Sequence, residues 1–408
     1  EEFFGRNGTA KNPEALRKSK LSGKTGAALD PCGVIQVCLG LEDGEKNEIV
    51  FRLGAAKHSE EITYLITNGR GKTAAREALD KVIRFWDKSL SVVQVESPDP
   101  SLNILTNGWL NYQTLACRLW ARSGYYQSGG AFGFRDQLQD VLSLLHNEPA
   151  LAREQILMCA SRQFIQGDVQ HWWHPPAGRG VRTRCSDDYL WLPYVTSSYI
   201  TVTGDDSILD ENVQFLESRE LGREEHSYYD MPVISDQTAT LYNHCVRAIE
   251  FGLQFGTHGL PLMGGGDWND GMDRVGSEGK GESVWLAWFL ADTIQRFQDA
   301  TSYRHDQVFA DRCKAVVDNL KLQIEKNAWD GAWYRRAYFD DGTPLGSSTN
   351  EECMIDSIAQ SWAVLSGAAE VNRAHQGMRE AEKRLVRQQD KLIQLFDPPF
   401  EKSDLNPG

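Results

Sequence analysis

Two segments of the chain hold polar, charged and aromatic side chains more densely than a folding pattern requires. Residues 133–140 read Gly-Phe-Arg-Asp-Gln-Leu-Gln-Asp, and residues 167–191 include His-Trp-Trp-His and Arg-Thr-Arg-Cys-Ser-Asp-Asp-Tyr-Leu-Trp. Arginine and carboxylate groups form charge-assisted hydrogen bonds with hydroxyls, and indole rings pack on apolar C–H faces. These residue types together predict a site for a polyhydroxylated ligand such as a sugar.

A third segment, residues 264–273, reads Gly-Gly-Gly-Asp-Trp-Asn-Asp-Gly-Met-Asp. The glycines permit a tight turn that brings the backbone close to a ligand. Cleavage of a glycosidic bond requires a carboxylic acid that protonates the leaving oxygen, and Asp267 and Asp270 are the candidates. When phosphate is the nucleophile, no second carboxylate is needed. The alternative is that these aspartates cap a helix or face solvent.

His171 and His174 flank two tryptophans and are spaced like a metal-binding pair. The spacing fits no zinc motif with a nearby carboxylate base, so contact with sugar or phosphate is favoured. We predict neither a metal nor an organic cofactor for this chain.

Composition excludes several classes of protein. The chain has 43 basic and 57 acidic residues and a net charge of −14, which argues against binding a nucleic-acid backbone. No apolar run reaches the roughly 20 residues that a membrane span needs. The eight cysteines form no Cys-x-x-Cys pair. We interpret them as reduced thiols, which predicts a cytoplasmic location for this region.

Hydrophobic periodicity divides the chain. The first ~70 residues alternate as β-strands do, in two sets at Ile35, Val37, Leu39 and Leu41 and at Ile49, Phe51 and Leu53. From Ala74 onward the period becomes helical and predicts a linker helix through Trp86. Strand alternation is not evident after about residue 100, so the second half is predicted to be mainly α.

Helical spacing recurs in the second half, at Leu138–Leu145, Leu241–Ala248, Val284–Ala291 and Ile355–Trp362. Polar, Gly-rich segments separate these helices, at residues 124–131, 166–188, 260–281 and 340–352. We expect such loops to meet at one end of the helices and form a single pocket.

Long motifs of this chain resemble glycoside hydrolase family 94, the inverting phosphorylases of β-linked glucosides. They are Arg-Ser-Gly-Tyr-Tyr-Gln-Ser-Gly-Gly-Ala-Phe-Gly-Phe-Arg-Asp at 122–136, the run at 182–191, Gly-Asp-Trp-Asn-Asp-Gly at 266–271 and Ile-Asp-Ser-Ile-Ala-Gln-Ser-Trp at 355–362. The resemblance covers essentially the whole chain. It is closest to the phosphorylase-like C-terminal region of cyclic β-1,2-glucan synthases.

The resemblance implies an α+β multidomain fold. Residues 1–72 would be part of a β-supersandwich, residues 73–98 a linker helix, and residues 99–408 an (α/α)6 barrel that is incomplete at its C-terminus. The family pattern continues beyond Gly408 with a Glu-Asn-Gly-Gly motif and a histidine that contacts phosphate. We therefore expect this chain to be an internal fragment whose phosphate-site residues lie outside it.

The resemblance also implies roles for individual residues. Asp270 would be the general acid, with Asp267 as its rival, and Trp268 would line the subsite of the sugar whose bond is broken. Arg182 and Asp188 match positions that hold that sugar's hydroxyls.

Other candidates have two interpretations. Arg135 and Asp136 either contact ligand near the sugar site or form an ion pair near a helix N-terminus. Arg184 and Asp187 either bind ligand or orient Arg182 and Asp188. The remaining aromatic candidates belong either to the site or to the core, and they are Trp172, Trp173 and Trp191.

We predict phosphorolysis of a β-glucan oligosaccharide with inorganic phosphate as co-substrate and α-glucose 1-phosphate as product. An inverting hydrolase is the alternative, and it needs a carboxylate base about 6.5–9.5 Å from the acid; Asp188, Asp267 and Glu352 are candidates. A non-catalytic glucan-binding region is a third hypothesis. Membrane attachment would come only through other parts of a parent synthase anchored in the inner membrane. The linkage and the oligomeric state stay open, with a homodimer as one alternative.

Overall fold

The computed structural model describes residues 2–26, 32–56, 58–121, 130–222, 225–403 and 406–408. The chain divides into two compact units, Glu1–Phe85 and Trp86–Gly408. In the described residues, no helix combines the length and apolar character that crossing a lipid bilayer requires.

The N-terminal unit contains a 3-10 turn at Glu14–Arg17 and helix α1 at Ser59–Asn68. The strands predicted around Ile35 and Phe51 are wrong in this structure, because the described residues 32–56 contain no strand. A strand requires a partner for its backbone groups and a covered face for its apolar side chains. Neither is present here: Ile35 is 71 % exposed and Leu53 is fully exposed.

Helix α2, Gly71–Ser91, covers the helical period from Ala74 through Trp86, but it ends before residues 92–98 of the predicted linker helix. The α-helices that follow are α3 (Pro100–Ile104), α4 (Leu110–Gln113), α5 (Phe134–Leu142), α6 (Pro149–Ala160), α7 (Trp191–Thr203), α8 (Leu241–Phe251), α9 (Val284–Tyr303), α10 (Gln307–Gln323), α11 (Ser357–Leu365) and α12 (Val371–Leu385). Wider π-helical turns occur at Leu105–Trp109, Thr114–Trp120 and Ile324–Ala328. Short 3-10 turns occur at Asp188–Leu190, Asp206–Asp210 and Asp270–Met272.

The helices predicted from periodicity in the second half are confirmed as α5, α8, α9 and α11. Helix α9 lies at the centre of the core and packs against α7, α10 and α11. Its Trp285, Trp288 and Phe289 are almost fully buried. A helix that is apolar around most of its circumference is stable only when neighbours cover it on several sides.

Helices predominate in the second half, as predicted, but this half also contains strands that the alternation of residue types did not reveal. A four-stranded antiparallel sheet has the order β1 (Phe132–Gly133), β2 (Gln170–His174), β3 (Arg179–Thr183), β5 (Ser227–Asp230). The pair β4 (Asn212–Glu217) and β6 (Val233–Thr240) forms a second sheet. Shorter pieces are β7 (Glu282–Ser283), β8 (Ala337–Tyr338), β9 (Pro344–Leu345), β10 (Ile355–Asp356), β11 (Val386–Arg387), β12 (Leu392–Ile393) and β13 (Phe396–Asp397).

There is a physical reason why the sequences of these strands do not reveal them through alternation of apolar and polar residues. Most have only two to six residues, and several carry polar side chains on both faces. Alternation is expected only where one face of a strand packs on a core and the other meets water. Strands that instead hold side chains around a site do not show that pattern.

Candidate active site

Arg135 lies at the centre of a group of acidic side chains. It occupies the first turn of α5, which begins directly after β1, and its side chain is 10 % exposed. Its Nη1 donates to Asp187 Oδ1 at 2.8 Å and to the Asp267 carbonyl oxygen at 2.9 Å. Its Nη2 donates to Asp270 Oδ1 at 2.6 Å. One guanidinium thus joins helix α5 to both polar loops that the sequence singles out.

Asp188 lies beside this group and pairs with His171. His171 Nδ1 is 2.7 Å from Asp188 Oδ2, and this carboxylate raises the pKa of His171 to about 9 despite the opposing effect of burial. The other oxygen, Asp188 Oδ1, is 3.9 Å from Arg135 Nε. It is buried and has no hydrogen-bond partner in the described part of the chain. A ligand hydroxyl could satisfy this oxygen.

Asp270 is the exposed carboxylate of the group. Its side chain is 61 % exposed, whereas those of Asp187 and Asp188 are 0 % and 2 % exposed. It begins a 3-10 turn for which Asn269 is the N-cap, because Asn269 Oδ1 accepts the Gly271 N–H at 3.0 Å. Asp270 can therefore reach a ligand while Arg135 holds one of its oxygens.

Trp268 lies in the same loop and is 40 % exposed. The glycines before it permit the loop's path, because Gly264 and Gly266 have φ values of 61° and 121°, which L side chains rarely adopt. A side chain at Gly264 would also meet the Arg184 carbonyl oxygen. An exposed indole beside an exposed carboxylate offers an apolar face and a proton carrier to one sugar.

Asp267 has a different environment from Asp270. Its side chain is fully buried, and Arg336 donates to both of its oxygens, Nη1 to Oδ2 and Nη2 to Oδ1, each at 2.6 Å. Ser283 Oγ donates to Oδ2 at 2.6 Å. Burial raises the pKa of Asp267, but Arg336 and Ser283 outweigh this effect and keep it below its ordinary value. A carboxylate that is fully enclosed by protein groups cannot come within hydrogen-bond reach of the ligand oxygen that a general acid protonates.

The donors of Arg182 are occupied by protein groups. Nε and Nη2 donate to the two oxygens of Asp168 at 2.6 and 2.7 Å, and Nη1 donates to the Arg219 carbonyl oxygen at 2.8 Å. The guanidinium also stacks 3.9 Å from the centre of the Phe164 ring. In this structure Arg182 is thus bound by its neighbours, and a sugar contact would require one of these bonds to be exchanged.

Asp136 and Arg135 point to different partners and do not form the ion pair considered above. Asp136 Oδ1 lies 3.4 Å from Nη2 of Arg118, and its side chain is 47 % exposed. Arg184 donates to the carbonyl oxygens of Gly222 and Glu225. It therefore fixes a neighbouring loop, and the idea that it orients Arg182 has no support in these contacts.

Asp187 likewise does not orient Arg182. Its Oδ1 accepts from Arg135, and its Oδ2 accepts from Trp191 Nε1 at 3.0 Å. Trp191 and Trp173 lie in the core, at 5 % and 1 % exposure. Trp172 is partly exposed and packs against Tyr229, with 5.5 Å between ring centroids. Trp173 and Trp191 therefore pack in the core, and Trp191 also donates a hydrogen bond to Asp187 of the acidic group.

His171, Cys185 and Asp188 offer ligand atoms that lie within 4.8 Å of one another, which is the geometry of a potential metal site. The chemistry of the donors does not fit one. Cys185 Sγ is 3.6 Å from Arg135 Nη1, and burial raises the pKa of this thiol well above its ordinary value. The positive guanidinium of Arg135 beside these donor atoms repels a cation, so we propose no metal here.

A cavity of about 750 Å³ lies next to this group. The residues that line it include Arg182, Ser186, Gly264 and Lys280. Asp270 is not among its described lining residues. The cavity and the acidic group are adjacent through Cys185, which lines the cavity and whose Sγ is 3.8 Å from Asp270 Oδ1.

Three of the predicted polar segments come together. Residues 166–188 and 260–281 meet where the Ser186 N–H donates to the Gly266 carbonyl at 2.9 Å. The third segment joins them because Asp340 accepts the N–H groups of Lys280 and Gly281, each at 2.8 Å. The fourth, 124–131, lies largely outside the described residues, as do residues 122–129 of the first family motif.

Sequence reasoning missed Arg336, which no motif contains. It stands in Trp-Tyr-Arg-Arg-Ala-Tyr-Phe, residues 333–339, where aromatic residues flank two arginines. A charged residue among large apolar side chains is almost never fully buried unless it is paired. That pattern could have indicated a buried partner, although it could not have identified Asp267.

Carboxylates, an arginine and an exposed indole, gathered on loops beside a helical core, are side-chain types that can bind carbohydrate. The chain belongs to the glycosyl hydrolase 94 superfamily. The model of its catalytic domain matches residues 85–408, and the model of its supersandwich domain matches residues 1–72.

Individual relatives agree with this membership. The chain is 43 % identical over its whole length to the cyclic beta-(1,2)-glucan synthase NdvB of Rhizobium meliloti (strain 1021), of which it covers 14 %. It is 30 % identical over 92 % of its length to the 3-O-beta-D-glucopyranosyl-beta-D-glucuronide phosphorylase of Paenibacillus borealis, of which it covers 46 %. It is 26 % identical over 56 % of its length to the 1,2-beta-oligoglucan phosphorylase of Listeria innocua serovar 6a, of which it covers 21 %.

The chain therefore spans less than half of the length of each of these three relatives.

Among solved structures, the chain resembles in fold a GH78 family rhamnosidase of Bacillus sp. GL1, with a TM-score of 0.50 and 15 % identity. The match covers 70 % of this chain and 26 % of the rhamnosidase.

Proposed function

We propose that this region catalyses the inverting phosphorolysis of β-glucosidic bonds, with Asp270 as general acid. Asp270 protonates the glycosidic oxygen as the C–O bond breaks, and inorganic phosphate attacks the anomeric carbon from the opposite face. The products are α-glucose 1-phosphate and a glucan shortened by one residue. Inorganic phosphate is a co-substrate, and no other cofactor is proposed.

The observation that carries this assignment is the difference in exposure among the aspartates. The side chains of Asp187, Asp188 and Asp267 are at most 2 % exposed, whereas that of Asp270 is 61 % exposed. A general acid must come within hydrogen-bond reach of the atom that it protonates. Asp270 is the member of the group that meets this condition.

The surrounding side chains have complementary roles. Arg135 holds one oxygen of Asp270 and leaves the other for the substrate. Trp268 offers an apolar face to the sugar ring. Asp188 Oδ1 is buried and lacks a partner in the described residues, and it is proposed to accept a sugar hydroxyl once substrate binding opens access to it, with the nearby His171 donating to another hydroxyl. Arg182 is proposed to join them when the substrate exchanges one of its present bonds.

The geometry supports phosphorolysis over hydrolysis. A hydrolase needs a second carboxylate that activates water. Of the three candidates, Asp267 is enclosed by Arg336 and Ser283, and Asp188 is buried against His171. Glu352 accepts the backbone N–H groups of Lys402 and Ser403. The oxygens of Asp267 and Glu352 are thus occupied, and the one Asp188 oxygen without a partner in the described residues is buried away from water.

The linkage and the parent protein are also proposals. The synthase and the oligoglucan phosphorylase among the relatives are both named for β-1,2 bonds, which supports linear β-1,2-glucan as substrate. In a synthase parent, this region would shorten or set the length of the linear glucan. Contact with a membrane would then come through other parts of the parent, and a homodimer stays a prediction.

We infer the domain plan from the family and the contacts together. Residues 1–72 would belong to a supersandwich domain, 73–98 to a linker, and 99–408 to an (α/α)6 barrel whose loops bear the site. Packing of α5 on α6 and α7, α9 on α10, and α11 on α12 supports paired helices.

The test uses the full-length protein with linear β-1,2-glucooligosaccharides, with and without phosphate. We expect α-glucose 1-phosphate only with phosphate, and a loss of about 100- to 10,000-fold in Asp270→Asn. Asp273→Asn is the matched control, because Asp273 is an exposed aspartate three residues further along the loop. Sugar release without phosphate would indicate a hydrolase. Binding without turnover in every form would indicate a binding region.

A further inference from the structure

We propose that Arg336 is a positioning residue, which acts through Asp267 to fix the loop that carries Asp270. This inference rests on the proposed role of Asp270 as general acid. It goes beyond that role because neither Arg336 nor Asp267 touches the reacting atoms in this assignment.

The Arg336–Asp267 pair has the geometry of a clamp. Two N–H groups of one guanidinium donate to the two carboxylate oxygens, each at 2.6 Å, and neither side chain is exposed. Two parallel bonds define both the distance and the relative orientation of the planar groups. A lysine would retain the charge but would not define the orientation.

The clamp is connected to the acid through the backbone. Asp267 Oδ1, which accepts from Arg336, also accepts the N–H of Asn269 at 3.1 Å. Asn269 in turn caps the turn that begins at Asp270. The Asp267 carbonyl oxygen accepts from Arg135, which also holds Asp270. A shift of the Asp267 carboxylate would therefore move the residue directly before Asp270.

The other side of the clamp is attached to the ends of two helices. Ser283, the N-cap of α9, accepts the Leu286 N–H and donates to Asp267. Asp356, the N-cap of α11, lies with Oδ2 3.6 Å from Arg336 Nε. The position of the Asp270 loop is thus set by core elements that its own sequence does not contain.

A buried ion pair could serve stability alone, so the test must separate positioning from folding. Proton donation matters for a sugar leaving group, but fluoride departs from carbon with little proton donation. In β-glucosyl fluoride, phosphate forms the new bond at the anomeric carbon, and the C–F bond breaks to give α-glucose 1-phosphate and fluoride. A misplaced acid slows the glucan reaction selectively, whereas a damaged site slows both reactions.

The experiment compares Arg336→Lys with wild-type full-length protein on both substrates in the presence of phosphate. We expect kcat/KM for the β-1,2-glucooligosaccharide to fall about 100-fold, while the rate with β-glucosyl fluoride stays close to wild type. Asp270→Asn should give the same selective pattern. The matched control is Arg335→Lys, because Arg335 is the adjacent arginine and pairs with Asp330, at 2.7 Å, outside this loop.

Hydrogen exchange gives a readout that does not require activity. Arg336→Lys should speed exchange in a peptide that covers residues 263–275, where the Asn269 amide is bonded to Asp267, and leave α9 protected. Equal losses on both substrates, unchanged exchange in this peptide, or faster exchange throughout the protein would each overturn the proposal. If wild type makes no α-glucose 1-phosphate from either substrate, the proposed function fails, and hydrogen exchange alone decides the positioning claim.

Discussion

Arg135 Nη2 donates to Asp270 Oδ1 at 2.6 Å, so a nearly buried cation on helix α5 holds the exposed carboxylate of the site. The same guanidinium binds the fully buried Asp187 at 2.8 Å. The position of Asp270 therefore depends on a group that solvent barely reaches. Removing that group should affect both folding and activity.

We predict that Arg135→Met destabilises the protein by about 3–5 kcal/mol, because it leaves the carboxylate of Asp187 buried without its cation. Urea unfolding measures the change. Arg118→Met is the control, since Arg118 is 41 % exposed and its pairing with Asp140 should contribute less than about 1 kcal/mol. Equal stabilities for the two variants would contradict the assigned importance of Arg135.

His171 should make stability depend on pH. Its folded-state pKa of about 9 lies above the ordinary value for histidine, because Asp188 favours the protonated ring. The stabilisation is therefore complete below about pH 6.5 and disappears as the pH rises through 9, and its size is on the order of 3 kcal/mol. We expect His171→Gln to lose this dependence.

The measurement is the free energy of unfolding of wild type and His171→Gln between about pH 6 and pH 10. The difference between the two proteins should be largest at the acidic end and shrink toward the alkaline end. A difference that stays constant across this range would show that the His171–Asp188 contact does not favour protonation.

The Arg336–Asp267 pair should show strong coupling in a double-mutant cycle. Asp267→Asn and Arg336→Met should each cost about 3–5 kcal/mol, because each leaves a buried charge without its partner. The double variant should be less destabilised than the sum, since it removes both charges. Chemical denaturation of the four proteins gives the coupling energy, and additive effects would mean that the pair is not a stabilising contact.

Trp268 should contribute to binding more than to folding, because the residue is 40 % exposed and lies two positions before Asp270 in the same loop. We expect Trp268→Ala to weaken binding of a β-1,2-glucooligosaccharide about 3- to 10-fold, corresponding to ~0.5–1.5 kcal/mol of aromatic contact. Titration calorimetry measures the Kd. Trp109→Ala is the control, since Trp109 is 50 % exposed but stacks on Tyr112. Equal losses of affinity would remove Trp268 from the sugar site.

In the second half of the chain, the sequence predicted the helices but not the strands. Helices α5, α8, α9 and α11 follow from apolar spacing because each buries a stripe or a whole surface in one core. The strands of the same half did not follow, because they are short and carry polar residues. In residues 32–56 the alternating pattern predicted strands, but the structure contains none there. An alternating pattern gives a segment one apolar face, but a strand also needs a neighbouring strand for its backbone hydrogen bonds.

For the candidate site, too, the sequence predicted some features and not others. Residue types singled out the segments that contain Asp270, Trp268 and Arg135, and the family resemblance suggested the roles of Asp270 and Trp268. Residue types alone could not distinguish Asp267 from Asp270, because two aspartates three residues apart have the same chemistry until one is enclosed, and the preference for Asp270 rested on the resemblance. The sequence also could not foresee that Arg182 would be bound to Asp168, since that contact joins residues through the fold.

The sequence by itself determined which residue types each loop and helix end presents, because local motifs specify turns, helix starts and the chemistry that each loop can offer. Only the tertiary structure decided which of those groups are exposed, paired or buried. Arg336 is 69 residues from Asp267 along the chain, yet two bonds of 2.6 Å join them. Burial and electrostatic pairing between such distant residues arise from packing of the whole core, which no single segment encodes.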